Sequence, residues 1–341
     1  MTGILRSESC GVELAIDARW FKLGSYYRKA TTYALMMAVA APLQIYLLTR
    51  QGEHSDTNTG YAKLSLLCVG MQAVLDSYQC LMHLTAGIVV DALFHSFGAA
   101  AFLQFVLFSV FEMRTLLQIW KSRRPGAEQN WLEMRRDLSM LYTRFYAGFL
   151  AGFFIMYWCQ KRPWIVAVVA NSYWVPQILW NAWNNNKKPM HAGYVVGTSV
   201  IRLLLPLYVF GCPTNFIRIE PQYWVCLVLV SWVGAQVFAL YAQHVRGPRC
   251  VFPESWFPPV YDYHRDVSED VLASVGGGDA EKGDAGGVDC VICMATVECA
   301  DRNQRVVTPC NHFFHEPCLT RWMEVKMECP TCRGALPPAD F

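Results

Sequence analysis

The sequence predicts a polytopic α-helical membrane protein of about seven spans, with a small metal-stapled module at its C-terminal end. Three observations lead to this class. Hydrophobic residues make up 54% of the 341 and charged residues only 16%, where a soluble domain carries about 25%. Stretches with little or no charge, each long enough to cross a bilayer as a helix, recur between residues 30 and 243. Six of the 14 cysteines fall into three short clusters near the end, together with two histidines.

In chain order, residues 1–29 form a short N-terminal segment and residues 30–243 a transmembrane domain. The first span, "ATTYALMMAVAAPLQIYLLT" (30–49), has no charge. With 29 residues ahead of it and no tripartite pattern, it is a span rather than a signal peptide. Six more follow at about 64–90, 93–112, 141–160, 163–183, 193–211 and 222–243. A large soluble helical bundle would give each helix a polar face, yet "WVCLVLVSWVGAQVFALYA" is apolar on every side. Helices satisfy their own backbone in lipid, so helices are the expected spanning form. Asp76, His83, Asn171, Asn181 and Arg202 lie within spans, where desolvation is expensive. They either line a functional interior or hydrogen-bond between helices, and the second role is the commoner one.

After the last span the composition shifts. Residues 244–265 are rich in Pro and aromatics and are expected at the membrane surface. The next stretch, 266–287, begins an acidic, Gly-rich run with seven acidic residues against one Lys by residue 289. Such a composition buries no core and reads as a flexible linker. The compact module spans 288–338.

Loop charge sets the orientation. With seven spans and a cytosolic C-terminus, the cytosolic loops carry Arg50, Lys63, Arg114, Lys121, Arg123, Arg124, Arg135, Arg136, Lys187 and Lys188, against Lys161, Arg162 and Arg218 on the other side. That asymmetry follows the positive-inside rule. The five basic residues of the N-terminal stretch fall on the lumenal side and do not fit it. No block of basic residues gives the footprint of a nucleic-acid binder.

The module has the spacing C-x2-C-x16-C-x1-H-x2-H-x2-C-x10-C-x2-C. Its eight ligands suit two closed tetrahedral zinc sites, and the spacing implies a reducing compartment rather than a disulfide framework. The ligands could pair in sequence or interleave. A histidine one residue beyond Cys310 and another three further on favour interleaving, because neighbouring ligands can then serve different ions. Cys299 is expected to be a packed thiol rather than a ninth ligand. A closed site leaves no position for an activated water, so the module's chemistry is recognition.

The pattern resembles the RING finger of the H2 type, in which two central histidines stand between three cysteines on either side. That resemblance implies one zinc on Cys290, Cys293, His315 and Cys318, and a second on Cys310, His312, Cys329 and Cys332. It also implies docking of a ubiquitin-conjugating enzyme that carries ubiquitin as a thioester. Ile292, Pro330 and Trp322, the last on a helix expected at 318–327, match the docking positions. Arg333 matches the linchpin that contacts ubiquitin and conjugating enzyme together, a role suited to a planar fork of donors. A non-enzymatic adaptor, whose finger only recruits a partner, is the alternative.

Further stretches, "SFGAAAFLQFVLFSVFEMR" (96–114), "SYWVPQILWN" (172–181) and "WMEVKMECPTCRGALPP" (322–338), resemble the Golgi and endosomal transmembrane ubiquitin ligases. This family includes the catalytic subunit of the fungal Dsc complex and the plant flying-saucer proteins. It implies membrane-protein substrates, further membrane subunits, endomembrane quality control and a cytosolic finger. Family members carry a signal peptide and a long lumenal domain before the first span, where about 29 residues stand here.

Overall fold

The computed structural model describes residues 2–7, 12–17, 22–123, 131–257, 261–268, 287–298, 302 and 305–337. A two-stranded antiparallel hairpin, β1 (Thr2–Ser7) and β2 (Val12–Asp17), precedes the first long helix. The helices follow as α1 (Leu23–His54), α2 (Asn58–Ala62), α3 (Leu66–Val89), α4 (Phe94–Val106), α5 (Met113–Ser122), α6 (Trp131–Trp158), α7 (Pro163–Ala170), α8 (Val175–Asn184), α9 (Ala192–Gly211) and α10 (Tyr223–Arg246). All seven apolar segments of the sequence are helical. Among the described residues, five helical runs are long and apolar enough to cross a membrane: Leu23–His54, Asp91–Ser122, Arg135–Trp158, Ala192–Gly211 and Tyr223–Arg246. The other two segments differ in character. Helix α3 carries Gln72, Asp76, Gln79 and His83 along its length, and segment 163–183 is broken into α7 and α8.

Packing explains why these sequences are apolar on every side. Helix α1 turns Ala30, Ala34, Ala40 and Ala41 inward and leaves Leu35, Val39 and Leu43 exposed. Helix α10 buries Gln236 and Gln243 while exposing Leu227 and Phe238. Polar side chains inside and large apolar ones outside is the arrangement for which lipid is the solvent. Small residues let backbones approach. At Gly87 of α3 an added Cβ would lie 3.3 Å from the Phe97 Cβ of α4, so a larger residue would push this pair apart.

The break between α7 and α8 frees backbone groups inside the bundle, and side chains reclaim them. Gln236 donates to the Asn171 carbonyl at 2.8 Å and accepts from the Trp174 N–H at 3.2 Å. Asn171 turns back to donate to the Ala167 carbonyl at 2.8 Å. Such reclaimed groups are what makes a broken helix tolerable in lipid. Two of the polar span residues therefore have local work. Asn181 links Gln177 to Gln243 at 2.7 and 3.0 Å, and His83 bridges the Gln79 carbonyl and the Tyr33 hydroxyl at 2.6 and 3.1 Å. This is interhelical hydrogen bonding, the commoner of the two expected roles.

Arg202 and Asp76 do more. The Arg202 guanidinium donates to both Asp76 oxygens, at 3.2 and 2.7 Å, and to Glu112 Oε1 at 3.2 Å. The three side chains are 4%, 1% and 4% exposed. Glu112 closes a π-helical turn, Leu107–Glu112, set between α4 and α5. The wider turn is a local departure of the kind often found where a side chain must be re-aimed. One cation thus ties α3, α5's N-terminal end and α9 together within the bundle.

The C-terminal module is built from two short hairpins and one helix. Strands β3 (Gly287–Asp289) and β4 (Thr296–Glu298) pair antiparallel, as do β5 (Val306–Val307) and β6 (Phe313–Phe314). Helix α11 runs from Glu316 to Met323, with Pro317 in its first turn. The helix expected at 318–327 therefore starts two residues earlier and ends four residues earlier. Proline is well placed at a helix start because its missing N–H has no partner to lose there.

Residues 261–267 pack on the finger. Tyr263 is 2% exposed and lies in the finger's core with Val297, Val306, Phe314 and Leu319. Its carbonyl accepts from the Val307 N–H at 2.8 Å and its hydroxyl donates to the Pro337 carbonyl at 2.6 Å. Val267 packs on Val307 and Phe313. The acidic run expected as a linker lies, from 269 to 286, outside the described residues, as does Cys299. Tyr263→Phe should cost the finger about 1 kcal/mol, the net worth of one buried hydrogen bond. A lowered thermal midpoint for the finger, with the membrane domain unchanged, is the measurement that checks it.

Candidate metal centre

Two knuckles organise the finger, and they are near copies. At Cys290 the N–H donates to the Ala295 carbonyl at 2.9 Å while Met294 donates back to the Cys290 carbonyl at 2.7 Å. At Cys329 the N–H donates to the Gly334 carbonyl at 2.7 Å while Arg333 donates back at 2.8 Å. Met294 and Arg333 occupy the same place in the two turns, and both have φ of 59°. A non-glycine residue pays a strain for this left-handed conformation, and the paired backbone bonds hold it there. Such a turn points both thiols of a C-x2-C pair to one side.

The knuckles bring together two groups of ligand type. Cys290, Cys293, His315 and Cys318 form one, and Cys310, His312, Cys329 and Cys332 the other, with all ligand atoms of a group within 4.8 Å of one another. Cys293 Sγ lies 3.4 Å from His315 Nδ1, and His312 Nδ1 lies 3.3 Å from Cys310 Sγ and 3.6 Å from Cys329 Sγ. A tetrahedral zinc with bonds of ~2.3 Å to sulfur and ~2.0 Å to nitrogen sets those atoms roughly 3.5 Å apart. The donor sets therefore fit the ion in kind and in spacing. The groups interleave in sequence, with the changeover between His312 and His315. Cys310 and His312 fall in one group and His315 in the other.

Electrostatics of the thiols suit a cation held among them. Burial raises Cys310 and Cys318, and neighbouring thiols of the same group raise them further, each to about 11. Burial also raises Cys290, but the N–H groups of Cys293, His315 and Ile292 outweigh it and bring the thiol down to about 6. Crowded thiols that resist ionisation together are stabilised as thiolates once a divalent cation sits among them.

The expected docking residues sit around this frame. Ile292 is half-buried in the first knuckle and Pro330 half-buried in the second. Trp322 of α11 is half-buried, and its indole N–H donates to the Glu328 carbonyl at 2.8 Å, beside the second knuckle. Cys318 on α11 shares its group with the first knuckle. Arg333 is exposed. The structure adds Val291, Met294 and Val325, apolar residues of the finger that are 53%, 86% and 55% exposed. These three were not legible in the sequence, because nothing in a single sequence says which side of a small module stays uncovered.

The finger touches the membrane domain at one described point. The Thr59 hydroxyl of α2 donates to the Glu324 carbonyl at the end of α11. Beside it, burial lowers the affinity of Lys63 for its proton, and the Glu324 carboxylate works against that.

Comparison with known proteins places both halves. The profile described as the transmembrane E3 ligase/DUF2921 transmembrane domain matches residues 22–256, and the Ring finger domain profile matches residues 288–333. The chain is 46% identical over 332 residues to the transmembrane E3 ubiquitin-protein ligase FLY2 of Arabidopsis thaliana, covering 97% of this chain and 57% of that protein. It is 44% identical over 347 residues to FLY1 of the same plant, covering 99% and 59%. Subunit 1 of the DSC E3 ubiquitin ligase complex of Schizosaccharomyces pombe is 27% identical over 415 residues, covering 99% and 58%. The chain thus spans less than two thirds of the length of these curated relatives. No solved structure matches.

Proposed function

We propose a membrane-embedded ubiquitin ligase, on the premise that the chain belongs to the transmembrane E3 ligase family defined by the DUF2921 domain. The observation that carries the proposal is the pair of interleaved Cys/His groups under an exposed apolar rim, joined in one chain to that membrane domain. In this reading Cys290, Cys293, His315 and Cys318 hold one zinc ion, and Cys310, His312, Cys329 and Cys332 a second. With four protein ligands each, the ions supply folding energy and no open position for catalysis.

The finger's own residues then do the recognition. Ile292, Trp322 and Pro330 form the apolar docking surface for a ubiquitin-conjugating enzyme. Arg333, held in a left-handed turn beside that surface, donates hydrogen bonds to ubiquitin and conjugating enzyme together. The thioester is thereby fixed in a pose that a substrate lysine can attack, and the gain is one of positioning. The ligase forms no covalent intermediate. The membrane domain, proposed to have seven spans from 30 to 243, keeps the finger on the cytosolic side, as the loop charges require. Membrane proteins of the Golgi and endosomes are the proposed substrates, with further membrane subunits as partners.

Docking and activation should be separable. Ile292→Ala and Trp322→Ala remove apolar contacts where a few residues carry most of the affinity. They should weaken binding of the conjugating enzyme and ubiquitin transfer together. Arg333→Ala should leave affinity for the uncharged conjugating enzyme nearly unchanged and slow thioester discharge by roughly tenfold to a hundredfold, for the loss of ~1.4–3 kcal/mol. Single-turnover discharge of a preloaded thioester onto free lysine by the full chain, run beside a binding titration, decides. Discharge by Arg333→Ala at the wild-type rate removes the linchpin role. Binding without discharge by any conjugating enzyme makes the finger an adaptor.

A further inference from the structure

A groove of about 540 Å³ opens between α3 and α6, bounded below by residues of α7 and α8. Its described lining is almost wholly apolar and includes Gly70, Val74 and Gly148. Helix α6 contributes one whole wall while only 6% of its spanning window is buried in the protein. One end of the groove is different. Arg123 and Arg144 both line it there, and no acidic residue does.

Both guanidiniums are fixed in place. Arg123 stacks over the Trp180 ring at 4.0 Å and donates Nη2 to the Leu64 carbonyl at 2.5 Å. Its Nε is buried and has no partner among the described residues. Arg144 stacks over the Trp120 ring at 4.9 Å. Among the described residues neither has an ion pair. Among the described residues these two cations at the edge of an apolar groove, one with an unmet donor, have no counter-charge.

The dimensions choose the occupant. Along α3 the lining runs from Leu66 to Tyr78, which at 1.5 Å per residue is roughly 18 Å. That is about one leaflet of a hydrocarbon core ~30 Å thick. A helix ~10–12 Å across fills roughly 500 Å³ per turn, so the groove would take one turn of a partner helix and not a span. A single slender acyl chain of leaflet length fits both measures. A zwitterionic headgroup brings no net charge to two guanidiniums, whereas an anionic one supplies the negative charge that is missing.

We propose that this groove is a binding site for one anionic phospholipid, with the headgroup phosphate on Arg123 and Arg144 and one acyl chain laid along Gly70, Val74 and Gly148. Basic pockets between membrane helices on the cytoplasmic side bind anionic headgroups by the same physics. The assignment to the cytosolic leaflet rests on the orientation proposed above; the site itself does not.

The test uses the delipidated full chain in nanodiscs of phosphatidylcholine and phosphatidylserine in equal parts. Lipid retained on extraction into mild detergent is counted by native mass spectrometry. Wild type should keep one phosphatidylserine with at least tenfold preference over phosphatidylcholine, and added salt should erode that preference. The Arg123→Gln/Arg144→Gln variant should keep both lipids alike. Gly148→Leu, whose added Cβ would start only 3.8 Å from Val74 Cγ2, should fill the groove and lose both. Equal retention of the two lipids by wild type overturns the proposal, as does a preference that salt does not change. A photoreactive residue at position 155 that captures a protein helix from native membranes instead of lipid overturns it too. None of these readouts involves ubiquitin transfer, so a failed ligase assay leaves the lipid result standing, and the reverse.

Discussion

Chelation of metal is expected to unfold residues 261–337 outright while leaving the membrane helices in place. The finger's core holds nine well-buried residues, and two of those are the ligand-group cysteines Cys290 and Cys329. So small a core contributes little net stability after chain entropy is counted. Structural zinc in finger peptides contributes about 10–16 kcal/mol at neutral pH, far more than the unaided core could. The expected stoichiometry is two ions per chain, since the groups share no residue. Cys329→Ser should unfold the finger as chelation does, because Cys329 is fully buried and its group holds only four ligands among the described residues. Cys250→Ser, at an exposed cysteine outside both groups, should change neither metal content nor folding. Zinc released on denaturation, measured beside near-ultraviolet circular dichroism, decides. One ion per chain, or a finger that survives the chelator, would rule out the eight-ligand assignment.

The same contrast between local and long-range information separates what was legible in the sequence from what was not. The metal groups were legible because knuckle geometry is set within four or five residues, and C-x2-C spacing permits little else. The apolar segments were legible because lipid demands apolar length wherever a helix meets it. The break at Asn171–Trp174 was missed because "SYWV" keeps the segment apolar; Pro176 was the available signal, as a proline favours a helix start and not its middle. Residues 261–265 were expected at the membrane surface, as the end of a Pro- and aromatic-rich stretch, because Tyr, Trp and Pro compose interfaces and small cores alike. Asp76 and Arg202 stood out one at a time, but their pairing joins residues 126 apart in sequence. Glu112 escaped notice because it ends a span and reads as a boundary charge. The π-helical turn that aims it inward has no pattern a single sequence reveals.

That charged cluster sets the second large effect. Arg202→Leu should destabilise the membrane domain by about 3–5 kcal/mol, the usual result of removing one partner from a buried pair. The reason is the charge count. Arg202 is the only cation in contact with Asp76 and Glu112 among the described residues, so its loss leaves two acidic groups buried together without a counter-charge. Removing an acid is a different matter. Glu112→Gln leaves the two-oxygen contact between Arg202 and Asp76 intact and keeps an amide oxygen that can accept from Arg202, so it loses only the acceptor's charge, about 1 kcal/mol. Substituting all three at once, as Asp76→Asn, Glu112→Gln and Arg202→Leu, removes the unpaired charges that Arg202→Leu creates. The triple variant should therefore be more stable than Arg202→Leu alone, despite carrying more changes. Unfolding in mixed detergent, followed by far-ultraviolet circular dichroism, gives the three values. The finger's zinc content serves as an internal control, because its core shares no residue with the cluster. If Arg202→Leu matches wild type, or the triple variant is no better than the single one, the cluster does not hold the bundle by charge pairing.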